Sequence, residues 1–152
     1  MSWNGLVSPI LFASAGQING QVPEGLAGAA EARLVVEGVS ATVTLPVAAA
    51  RVGLFPRVWN QDGDGGVNAP ALPARPGTIV VLYGTGHGGA TGAEVTVDGR
   101  PAEVLYADSA PGTMGVMQLN VRIPAETAAG EAVLVVVRVR GSLATGAVAV
   151  RP

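Results

Sequence analysis

Apolar residues in this chain come in short runs, each stopped within a few positions by Gly, Pro, Ser or Asp. Thr78-Ile-Val-Val-Leu-Tyr83 ends at Gly84. Glu94-Val-Thr-Val97 ends in Asp98-Gly99, a pair suited to a tight hairpin because both central positions of that turn need positive φ. Ala102 to Ala107, Met117 to Ile123, Ala132 to Val139 and Ala147 to Val150 continue the series. Earlier runs lie at Ile10 to Ala13, Gln17 to Val22, Ala32 to Glu37 and Ala41 to Val47. Many short strands at close spacing, with no helical stretch, predict an all-β sandwich. Glu24 to Arg33 holds some helix formers, but Gly25 and Gly28 point to a loop or a single turn.

The series occurs twice. Ser2-Trp3-Asn4-Gly5, Ile10-Leu11-Phe12-Ala13, Gln17-Ile18-Asn19 and Val22-Pro23 return as Thr96-Val97-Asp98-Gly99, Val104-Leu105-Tyr106-Ala107, Gln118-Leu119-Asn120 and Ile123-Pro124. Gly28 and Gly130, then Gly38 and Gly141, extend the match. The shared residues are turn and core residues, so the chain reads as two copies of one small fold: an incomplete repeat over 1–50, a linker or long loop over 51–76, and a complete repeat over 77–152. The linker assignment rests on the Gly, Pro, Asn and Asp content of Arg51 to Pro76.

The copies are unequal. Pro76-Gly77-Thr78-Ile79-Val80-Val81-Leu82-Tyr83-Gly84 opens the second, and nothing before Ser2 corresponds to it. The first copy therefore lacks its initial strand, which leaves unpaired backbone groups and an apolar strip unless something covers them. The expected cover is the segment around Val52 to Val58; a neighbouring chain or sequence upstream of a longer parent are the alternatives.

Composition narrows the function classes. Apolar residues make up 49% and charged ones 13%, with net charge −2 and every basic side chain an arginine. A weakly acidic chain with scattered arginines has no electrostatic footprint for nucleic acid. No apolar run is long enough to span a bilayer as a helix. Cysteine is absent, which excludes disulfides and thiolate metal sites.

The second copy resembles IPT/TIG immunoglobulin-like domains in Pro76-Gly77-Thr78, Gly84-Thr85-Gly86, Val95 to Ala102, Val121 to Ala125 and Gly141-Ser142. Over nearly the whole chain, Pro9 to Asn19, Val22-Pro23, Gly53-Leu54-Phe55, Asn60 to Gly63 and Tyr83 to Gly88 resemble an uncharacterised Solibacter-type C-terminal module of secreted bacterial proteins. The resemblance implies two tandem immunoglobulin-like (IPT/TIG-like) sandwiches, the first lacking its initial strand, on an extracellular or cell-surface protein with no assigned activity.

Chemistry-bearing motifs are few. Gly84-Thr-Gly-His-Gly-Gly89 fits a dinucleotide fingerprint but is followed by no helix to receive a pyrophosphate, so its glycines read as loop formers. Asn60, Asp62, Asp64 and Asn68 have Ca²⁺-loop spacing, yet Ala71 stands where a bidentate Glu belongs; they are candidate Ca²⁺ ligands against an Asx-turn reading. Trp59, in polar surroundings, is the candidate ligand-binding aromatic. His87, the one histidine, is expected to be an exposed loop residue. Gln17-x-Asn19 and Gln118-x-Asn120 are expected to pin strand to loop.

These features predict a non-catalytic module, a spacer, adhesion or assembly unit, with strand complementation between chains as one mode of assembly. Its expected partners are a protein or a second copy met through the exposed strand edge, without nucleic acid, membrane span or cofactor. The alternative is a carbohydrate- or Ca²⁺-assisted binding module built on Trp59 to Asn68.

Overall fold

The computed structural model describes residues 1–36, 38–62 and 65–152, and every regular element among them is a β-strand. The chain divides into two compact units, Met1–Ala49 and Ala50–Pro152.

In the first unit, β1 (Ser2–Trp3), β2 (Leu6–Val7), β5 (Gly28–Val36) and β6 (Val39–Val47) form an antiparallel sheet in the order β2-β1-β5-β6. β3 (Ile10–Ser14) and β4 (Gln17–Gly20) form a separate two-stranded sheet. The second unit adds β7 (Gly53–Asn60) and β8 (Ile79–Thr85) ahead of β9 (Glu94–Val97), β10 (Arg100–Pro101), β11 (Glu103–Ser109), β12 (Val116–Arg122), β13 (Gly130–Val139) and β14 (Ser142–Val150). Its two four-stranded sheets, β10-β9-β13-β14 and β11-β12-β8-β7, enclose one core of aliphatic side chains from both. Strands of this length hide little area singly; stacking two sheets buries their inner faces together.

Without β7 and β8 the second unit has the topology of the first, and the registers agree as well. Ser2↔Val7 and Trp3↔Leu6 reappear as Thr96↔Pro101 and Val97↔Arg100. Leu34↔Ala41 reappears as Val137↔Ala144. Phe12↔Asn19 reappears as Tyr106↔Asn120, and each pair follows a bulge, at Leu11 and at Leu105. Both first hairpins turn through a polar residue and a glycine at positive φ, Asn4-Gly5 and Asp98-Gly99. The Asn4 amide then donates to the Glu31 carbonyl at 2.8 Å, as the Asp98 amide does to Leu134 at 2.9 Å.

Two expectations change. Residues 51–76, read as a linker, belong to the second unit, where β7 pairs antiparallel with β8. β7 therefore forms the edge beside β8 of its own unit and supplies no strand to the β3-β4 sheet. Pro56 lies inside this strand. It falls within the irregular stretch between Leu54 and Val58, where the missing N–H costs no ladder bond.

Among the described strands none in the first unit corresponds to β7 or β8, and the packing of the two units differs. Leu119 is 0% exposed, while its counterpart Ile18 is 40% exposed; Val148 is 1% exposed and its counterpart Leu45 39%. The buried hydrophobic cluster of the first unit consists of Trp3, Ala30 and Ala32, with Met1, Leu26 and Val47 against it.

Candidate functional site

The most distinctive surface lies in the first unit, where the counterpart of β8 would run. β4 pairs with β3 along one edge, whereas β12 pairs with β11 on one side and β8 on the other. Beside the unpaired edge of β4 is a partly open cavity of about 250 Å³ lined by Met1, Ile18, Ala32, Leu34, Ala41, Thr42 and Val43. None of these side chains is charged. Ile10, Phe12 and Val22 of the same unit are also exposed, with Phe12 on the face of the β3-β4 sheet opposite Ile18. Trp3 Nε1 and Gln21 Oε1 are buried without a hydrogen-bond partner among the described residues.

The repeated Gln-x-Asn pairs make the same bond in both units. Gln17 Nε2 donates to Asn19 Oδ1 at 2.7 Å, and Gln118 Nε2 to Asn120 Oδ1 at 2.9 Å. Residues two apart on a strand share a face. The pair thus links two positions of one strand, where a strand-to-loop bond was expected.

Asn60, Asp62 and Asn68, beside Trp59, are held in hydrogen bonds through their side chains. Trp59 pairs with Val81 in the β7-β8 ladder, is bridged to Val67, and is 39% exposed. Asn60 Oδ1 accepts from Asn68 Nδ2 at 2.9 Å, and Asn60 Nδ2 donates to the Leu72 carbonyl at 2.8 Å. Asn68 Oδ1 accepts the Ala149 amide at 2.7 Å, and Asn68 Nδ2 also donates to the Ala149 carbonyl at 3.0 Å, which holds the loop to β14. Asp62 Oδ2 accepts the Ile79 amide at 2.7 Å at the entrance to β8. Each of these three side chains directs an oxygen at an N–H donor eight or more residues away, so they tie the loop to distant strands, where local Asx turns were expected. Asp64, the fourth candidate Ca²⁺ ligand, lies outside the described residues. No three His, Cys, Asp or Glu residues cluster as a metal site among the described residues.

The Gly84–Gly89 segment allows two backbones to approach closely. A Cβ on Gly84 would sit 2.4 Å from the Gly53 carbonyl oxygen, and one on Gly86 2.0 Å from that of Arg51. Gly86 also accepts the Arg51 amide at 2.8 Å, which fixes the entry of β7. His87 is buried, contrary to expectation, and its Nε2 lies 3.0 Å from Ser109 Oγ at the end of β11. That partner is distant in sequence, and a lone histidine among glycines carries no local sign of it.

Comparison with known proteins finds no matching family model, no matching curated protein and no matching solved structure. The residues that line the open cavity were not singled out as functional by motif, because aliphatic side chains carry no motif. The signal that locates them is the repeat itself, since Ile18, Ala32 and Leu34 of the wall align with the core residues Leu119, Val135 and Val137 of the complete unit.

Proposed function

We propose that the chain is a non-catalytic structural module. It comprises two immunoglobulin-like sandwiches in tandem, the first lacking its initial strand, and acts outside the cell or at its surface as a spacer, adhesion or assembly unit. The observation that carries this reading is the contrast between the closed core of the second unit and the open aliphatic face of the first. Large exposed apolar patches on a folded domain mark contact surfaces. The polar residues shared by the repeats, at the Asn4 and Asp98 turns and in the Gln-x-Asn pairs, bond within their own units and support the fold. The immunoglobulin-like and extracellular parts of the reading rest on the resemblance of the sequence pattern.

An environment-sensitive apolar dye tests it. The full chain should enhance the dye's fluorescence, and Val43→Ser combined with Ile18→Asp should remove most of the enhancement while the Trp59 emission of the second unit stays unchanged. A monomeric chain that leaves the dye dark has no free apolar face and would refute the assembly role.

A further inference from the structure

We infer that the groove of the first unit is a strand-acceptor site, which takes an uncharged, extended aliphatic peptide segment of the β8 type, paired antiparallel with β4. The inference rests on the assembly reading above and gives its partner a chemistry.

The second unit supplies the template. There β8 runs antiparallel to β12, with Tyr83 opposite Gln118, Leu82 opposite Leu119, Val81 opposite Asn120 and Val80 opposite Val121. Because the repeats share register, the same arrangement puts a leucine of the incoming strand opposite Ile18 and valines opposite Asn19 and Gly20. Val80 and Leu82 belong to the core of the second unit. Their counterparts would enter the cavity, whose walls Ile18, Ala32, Leu34 and Ala41 correspond to Leu119, Val135, Val137 and Ala144 around that core.

Charge and backbone chemistry agree on the occupant. The side chains lining the cavity carry no charge and neither do those of Ile79–Thr85, so seating such a strand buries no charged side chain. A helix or a compact apolar ligand could fill the cavity but would leave the N–H and C=O groups along β4 unpaired, whereas an added strand satisfies both.

The test uses the full chain and a synthetic peptide of residues 76–86 with a short charged tail for solubility. Calorimetric titration should show saturable one-to-one binding with a negative heat-capacity change, to a chain that sediments as a monomer. Ile18→Asp in the chain should weaken binding at least ~10-fold, and so should Leu82→Asp in the peptide, which leaves the folding of the chain untouched. A monomeric chain that lights the dye yet shows no peptide binding rejects the strand-acceptor site and leaves the assembly reading standing. A chain dimerised through β4 and closed to the peptide also rejects it, with a second copy as the occupant. Silence of a monomeric chain toward both dye and peptide overturns both readings.

Discussion

Ile18→Ala and Leu119→Ala remove comparable side chains at equivalent positions of the repeat, and the structure predicts unequal costs. Leu119 is fully buried between sheets. Truncation there removes three carbons at about 0.8 kcal/mol each and leaves a cavity, for a total of roughly 3–5 kcal/mol. Ile18 is 40% exposed on the wall of an open groove, so about 60% of the same transfer energy applies and no closed cavity forms. Its cost should be about 1–1.5 kcal/mol. The two tryptophans separate the signals, because Trp3 lies in the first unit and Trp59 in the second. Urea unfolding followed by fluorescence would read the first unit in a Trp59→Phe background and the second in a Trp3→Phe background. A cost for Ile18→Ala within about 0.5 kcal/mol of that for Leu119→Ala would show that the groove is filled, and the reasoning fails. With saturating β8 peptide, the cost of Ile18→Ala should rise toward that of Leu119→Ala.

Two glycines with positive φ separate backbone strain from crowding. Gly99→Ala, with open space around its new Cβ, should lower stability by about 1–2 kcal/mol; Gly86→Ala, whose Cβ would meet the Arg51 carbonyl, should cost at least about 1 kcal/mol more in the same unfolding assay. Asn68→Ala removes the bonds to Asn60 and Ala149 and should destabilise the second unit by about 1–3 kcal/mol. The wild-type melting temperature should be the same with and without millimolar Ca²⁺, and a Ca²⁺-dependent rise would restore the metal-binding reading of Asn60 to Asn68.

Local chemistry made the turns and most strands legible. Asp98-Gly99 and Asn4-Gly5 announce hairpins because few residue pairs accept positive φ twice in succession. The missing strand was legible too, because a repeat exposes what one copy lacks. Features set by long-range pairing were less accessible. A strand around Val52 to Val58 was legible but not its sheet: Gly53, Pro56 and the polar residues after Asn60 look like a linker, while pairing with β8 places the strand in the second unit. His87 looks solvent-exposed by its glycine neighbours, and its burial depends on the end of β11. The open cavity required both kinds of information: the repeat locates the gap, and the second unit shows which side chains would have lined a closed core.

Residue-resolved amide exchange on Gln17 to Gly20 and Gln118 to Val121 tests the central claim most directly. Along β12 every amide should be slow, because both edges of the strand are paired. Along β4 the amides bonded to β3 should be protected and those facing the vacant edge should exchange at nearly the rate of open chain. Uniform protection across Gln17 to Gly20 in a monomeric chain would mean that a strand already lies there, and the proposed vacancy would not exist.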